Sequence, residues 1–113
     1  MKKEVSKLKA EEMNELYQAI LAIKNPKECK DFLDDLLTEK EKIALSGRIH
    51  CAKLFIDGRT YLEVTEETSV SSATLARVSK CVKKGKGYNK VLKRAKKAAE
   101  KASEAVDESE ITE

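Results

Sequence analysis

The chain has 113 residues, 23 Lys/Arg against 20 Asp/Glu, no Trp and a single Pro. Such a length fits one domain with a modest core, and the scarcity of Gly, Pro and aromatics leaves Leu, Ile, Val and Ala to build it from helices. Cys29, Cys51 and Cys81 are odd in number and widely spaced, with no Cys-x-x-Cys pair, so a disulfide framework is excluded and they read as reduced packing thiols.

Residues 4–24 read as an amphipathic helix with Met13, Leu16, Tyr17, Ile20 and Leu21 on one side. Asn25-Pro26-Lys27-Glu28 then marks a junction. Asn25 suits the cap of a second helix, Pro26 its first position and Glu28 its third. That helix carries Phe32, Leu33, Leu36 and Leu37. Thr38-Glu39-Lys40-Glu41 is a capping box that opens a third helix. Ile43, Ile49, Ala52, Phe55 and Ile56 are its expected apolar side. Asp57-Gly58 ends it, with Gly58 free to adopt the left-handed conformation.

Residues 60–82 form the most informative stretch. Thr60 with Glu63 makes another capping box, a short helix runs through Glu67, and a tight turn sits at Ser69–Val70. Ser71 or Ser72 caps the next helix. This is the layout of a helix-turn-helix, whose second helix can enter a DNA major groove. Leu75, Val78 and Val82 recur at helical spacing and face a core. Ala73, Ala76, Arg77, Lys80 and Lys84 point the other way. Small side chains permit close approach to base edges, and cations beyond them can reach phosphates. An amphipathic surface helix with solvated lysines is the bland alternative.

Charge is distributed unevenly along the chain. Residues 1–76 hold 12 Lys/Arg against 14 Asp/Glu, residues 77–101 hold 11 against one, and residues 102–113 hold five acids and no base. A basic block directly after a recognition-type helix fits polyanion binding. Gly85 and Gly87 interrupt the chain before a last helix over residues 88–105. The expected division is therefore a helical domain over residues 1–105 and an acidic tail, 106–113, that is expected to be disordered. The apolar stripes look too numerous for one subunit to shield, so a dimer with N-terminal helices packed across the partner is expected.

Other chemistry finds little support. His50 is the only histidine and has no second ligand at metal spacing. No Ser-His-Asp arrangement is indicated, and Gly85-Lys86-Gly87 lacks the pattern of a phosphate loop. Neither an enzymatic activity nor a cofactor is expected. No secretory signal, transmembrane run or lipidation motif is visible, so the expected location is cytoplasmic, with no membrane partner.

The run from Leu37-Thr38-Glu39 through Arg48, then Leu54-Phe55-Ile56-Asp57-Gly58-Arg59-Thr60-Tyr61, then Ser71-Ser72-Ala73-Thr74-Leu75-Ala76-Arg77, resembles the Trp-repressor family. It is similar, more narrowly, to the YerC/YecD-type members. The likeness covers about residues 8–92. It implies an all-α, six-helix, intertwined homodimer that regulates transcription as a repressor and binds a two-fold-symmetric operator. Half-sites would then lie about one helical turn, roughly 34 Å, apart. By this likeness Ser72, Ala73, Thr74 and Ala76 meet bases, while Arg77, Lys80, Lys83 and Lys84 meet phosphates.

The resemblance also implies a candidate effector pocket of Thr38, Arg48, Arg77, Val78 and Cys81. Two of these depart from the family pattern. Val78 replaces a Gly that gives an indole ring room. Cys81 replaces a Ser, and a thiol is a poorer acceptor for an ammonium group. Tryptophan is therefore not expected as corepressor. Arg48 has a structural alternative, an ion pair with Asp34 or Asp35. The competing reading of the whole is an RNA-binding or protein-scaffolding helical module that uses the basic C-terminal helix. Ser69 stands where a helix-turn-helix often has Gly, at an expected conformational cost. Glu63, Glu66 and Glu67 would repel phosphate if they faced a duplex.

Overall fold

The computed structural model describes the backbone of residues 2–111 and the side chains of residues 6–102. These residues form six helices and no strand: α1 (Lys2–Leu21), α2 (Pro26–Leu36), α3 (Glu39–Ile56), α4 (Tyr61–Glu67), α5 (Ser72–Lys84) and α6 (Gly87–Ile111). The all-α expectation holds.

Side chains that satisfy free amides set most of the helix starts. Asn25 Oδ1 accepts from the Glu28 amide at 2.9 Å, and Pro26 opens α2 with no amide to satisfy. Ahead of α3, the Glu41 amide donates to Thr38 Oγ1 at 3.2 Å and the Thr38 amide donates back to Glu41 Oε1 at 2.9 Å. Thr60 and Glu63 repeat that reciprocal pair ahead of α4. Of the two serines offered as the cap of α5 it is Ser71 that serves, accepting from the Thr74 amide at 3.3 Å, while Ser72 is the first residue of the helix. Each such cap contributes about 1 kcal/mol. Two left-handed glycines follow helix ends, Gly58 (φ 93°) after α3 and Gly85 (φ 71°) after α5.

The chain clusters into two compact units, Met1–Lys42 and Ile43–Glu113, whereas one domain over residues 1–105 was expected. In the first unit α1 stops at Leu21, short of the expected residue 24. The next helix accounts for this. Asn25 precedes a proline and is held extended (φ −150°, ψ 167°), and the Lys24 amide is turned to Glu28 Oε1 at 3.2 Å, so Lys24 already serves the start of α2 and not the end of α1. No described side chain of this unit is buried. Leu21 is 77% exposed, and Met13, Tyr17, Ile20 and Leu36 also face outward. Asp34 accepts from Lys30 and from Lys42, each at 2.6 Å. Those hydrogen bonds, Lys30's foremost, hold the Asp34 carboxyl down at about 2.

The second unit has a closed centre made of Cys51, Ala52, Val64, Leu75 and Val78. Leu54, Phe55, Val70, Val82, Tyr88 and Leu92 pack around it. The face of α3 differs from the expected one. Cys51 turns inward, while Ile43 (63% exposed) and Ile49 (44% exposed) turn outward. At 100° per residue, Cys51, Ala52 and Phe55 share one arc and Ile49 falls outside it. Gly47 of α3 faces the turn before α5, and a Cβ placed there would lie 3.3 Å from Val70 Cγ1.

Lys96 Nζ reaches Asp57 Oδ1 at 3.1 Å and ties α6 to the end of α3. α6 continues to Ile111, where irregular chain from Val106 was expected. Glu, which occurs twice in this stretch, is among the better helix formers, so acidity alone did not end the helix. Thr112 and Glu113 lie outside the described residues.

Candidate nucleic-acid interface

The helix-turn-helix is built from inside out. Val64 of α4 has no exposure and meets Leu75 and Val78 of α5 in the same core. This contact fixes which way α5 turns. Ser72, Ala73, Ala76, Arg77, Lys80, Lys83 and Lys84 are all exposed, and Val82 is half-buried beneath them. The facing read from helical spacing is therefore the facing observed. Thr74 stands apart from its neighbours. It is half-buried, its amide is held by Ser71, and its hydroxyl lies 3.0 Å from Ser71 Oγ.

The turn is made without a left-handed residue. Thr68 closes α4 in an extended conformation (φ −125°, ψ 160°), and no non-glycine residue has positive φ among the described residues. The cost expected for Ser69 is not incurred, because this turn does not ask Ser69 for the geometry that favours Gly.

Two of the three α4 acids are engaged. Glu63 accepts from the Thr60 hydroxyl and amide and from Arg59 Nε, at 3.0, 3.3 and 3.0 Å. These bonds, the Thr60 hydroxyl's first, lower its pKa. Glu67 pairs with Arg59 Nη2. Glu66 is exposed and makes no ion pair among the described residues. Sequence reasoning missed Arg59, although its spacing of four from Glu63 was a usable signal. The contact to Glu67 spans eight residues and had no such signal.

The candidate effector residues of the second unit do not share one cavity. Val78 is only 1% exposed and belongs to the core. Cys81 lines an apolar cavity of about 510 Å³ with Ile49, Tyr88, Val91 and Leu92, rimmed by Lys84 and Lys86. Arg48 lines a different cleft of about 640 Å³, with His50, Ser69, Ser71 and Thr74. Arg77 borders neither. Thr38 belongs to the first unit, where it caps α3. Asp34, one of the two acids offered as alternative partners for Arg48, lies in the first unit, where Lys30 and Lys42 bind it, and within its own unit Arg48 has no acidic partner among the described residues. No group of His, Cys, Asp and Glu suited to hold a metal occurs among the described residues, and none of their helices is long and apolar enough to cross a membrane.

Comparison with known proteins agrees with this architecture. The chain is 35% identical over 101 residues to the uncharacterized protein YerC of Bacillus subtilis (strain 168), covering 88% of this chain and 97% of that protein. A crystal structure of a TrpR-like protein from Eubacterium eligens superposes with a TM-score of 0.68 at 40% identity, covering 80% of this chain and 94% of that one. A candidate Trp repressor from Staphylococcus aureus superposes with a TM-score of 0.70 at 36% identity, covering 81% and 93%. The family model described as Trp repressor protein matches residues 11–96. With the core, the turn and the outward face of α5 in place, the chain belongs to the Trp repressor family.

Proposed function

We propose that this chain is a sequence-specific, DNA-binding transcriptional regulator that represses by occupying a two-fold-symmetric operator as a homodimer in the cytoplasm. One observation carries the reading: α5 holds Leu75 and Val78 inward and presents Ser72, Ala73 and Ala76, then Arg77, Lys80, Lys83 and Lys84, to solvent. Small side chains followed by cations suit a helix that seats its start against base edges and its later turns against phosphates. In this reading Ser72, Ala73, Thr74 and Ala76 meet bases. Thr74 does so from a partly covered position, with its hydroxyl shared with Ser71.

The dimer is supported by apolar residues left outside. The first unit buries none of its described side chains. The second leaves an apolar cavity floored by Ile49, Val91 and Leu92. Sedimentation equilibrium is expected to return a dimer at micromolar concentration, and a stable monomer rejects this element. Tryptophan is not the corepressor. The side chain of Val78, in the slot of the ring-accommodating Gly, is packed into the core. Calorimetry is expected to show no micromolar binding of tryptophan. The candidate pocket residues Thr38, Arg48, Arg77, Val78 and Cys81 thus name no effector.

Selection of bound duplexes from a random pool at about 150 mM salt tests the whole reading. A palindromic consensus with half-sites about one turn apart is the expected result. Preference for single-stranded RNA, or binding abolished only on deleting residues 87–113, would instead favour the RNA-binding or scaffolding module. Lys80→Ala should weaken binding to every sequence and lower the salt slope by about one unit for each phosphate left without its cation, whereas Thr74→Ala should change sequence preference. Equal effects of both on mixed-sequence DNA would contradict that division.

A further inference from the structure

A short helix that must come close to a polyanion here carries three acids, Glu63, Glu66 and Glu67. One of them cannot be given up cheaply. Glu63 closes the capping box of α4 by accepting from the Thr60 amide and hydroxyl. The fold therefore imposes a carboxylate on the leading end of the helix-turn-helix.

We propose that Arg59 is a positioning residue of this element: its guanidinium bridges Glu63 and Glu67 and halves their combined charge, so that α4 can approach a phosphate backbone. Arg59 Nε meets Glu63 Oε2 at 3.0 Å and Nη2 meets Glu67. Glu63 and Glu67 lie four apart on one side of α4, and Arg59, in the chain just before the Thr60 cap, reaches along that side to both. Glu67 has no capping duty, and Arg59 is its only ion-pair partner among the described residues. The three side chains are 40%, 48% and 38% exposed. Pairs so open to water add little stability, which makes folding a weak reason for the bridge. Their field is another matter, since charge at this surface acts over a Debye length of about 8 Å. From the Glu63–Glu67 pair, a phosphate docked on the helix-turn-helix would feel two negative charges without Arg59 and one net negative charge with it.

The proposal rests on the DNA-binding reading, and the test separates the two. Full-length protein is titrated against a labelled duplex of mixed sequence over a salt series, with thermal midpoints followed by circular dichroism. Arg59→Gln is expected to weaken binding about fivefold at low salt, with the salt slope nearly unchanged. Adding Glu67→Gln to that variant should restore most of the affinity. If the double variant binds as weakly as Arg59→Gln, the proposal is overturned. A slope lowered by about one unit without rescue would mean that Arg59 itself touches phosphate, which also overturns it. Should Arg59→Gln lower the midpoint so far that folding is compromised, Glu67→Gln alone decides. It should bind tighter than the natural chain, and no gain overturns the proposal. A natural chain that binds no duplex rejects the DNA-binding reading and the proposal together. Binding without rescue rejects the proposal alone.

Discussion

In the unit Ile43–Glu113, side chains from α3, α4 and α5 close over one another until Cys51, Ala52 and Val64 have no exposure left. In the unit Met1–Lys42, no described side chain is buried. Both units have well-made helix starts: Asn25 caps α2 as competently as Thr60 caps α4. Local chemistry thus decides where helices begin, and it does so equally in both. It does not supply a core. The second unit carries its own apolar interior, and the first keeps its apolar residues for a surface outside itself, which in our reading is another copy of the chain.

The sharpest way to break this contrast is to truncate one leucine in each unit. Leu75→Ala, in the closed core, should lower unfolding free energy by about 2–5 kcal/mol in urea titrations. Leu21→Ala should leave the unfolding free energy of dissociated chains within about 0.5 kcal/mol and should raise the dimer dissociation constant seen by sedimentation. Equal losses in urea for both variants, with no change in association, would show that the first unit has an interior of its own. Cap removal should treat the units alike. Thr60→Ala and Asn25→Ala are each expected to cost about 1 kcal/mol of helix stability, read as reduced helical ellipticity and a lower urea midpoint.

The smallest effect is electrostatic and confined to the first unit. Lys30 and Lys42 hold the Asp34 carboxyl at about 2, below its ordinary 3.8. A carboxyl whose folded pKa is depressed stabilises above the unfolded value, and that contribution fades as pH falls from about 4 toward 2. The thermal midpoints of the natural chain and Asp34→Asn should therefore differ above pH 5, draw together as pH falls through about 4, and converge only below about 2. Midpoints that stay apart by the same amount across that range would contradict the pairing.

What the sequence disclosed was local, and what it concealed was not. The Thr38–Glu41 and Thr60–Glu63 boxes rest on a spacing of three residues, and the inward Leu75–Val78 face of α5 rests on helical period; both can be read without knowing the fold. On α3 the same reasoning put Ile49 on the apolar side and, although it read Cys51 as a packing thiol, left Cys51 off that side. The inward arc is set by what α4 and α5 offer opposite, which no single helix reveals. The tie from Arg59 to Glu67, the half-covered position of Thr74 and the scatter of Arg48, Val78 and Cys81 over separate environments all depend on how α3, α4 and α5 are arranged around one another. The continuation of α6 past Ala105 was hidden for another reason: a stretch rich in acids and without a base reads as solvated chain, yet Glu suits a helix well.

The side chain that Gly47 lacks is what allows Val70 to lie so close to α3. Val70 sits in the turn that launches α5, so a methyl group at position 47 would press on a hinge and not on the middle of the core. Val70 would have to give by a few tenths of an ångström, and a shift at a pivot is magnified along the thirteen residues of α5. A methyl at position 47 would thus be felt first in the turn that precedes α5, at a distance from every outward residue of that helix.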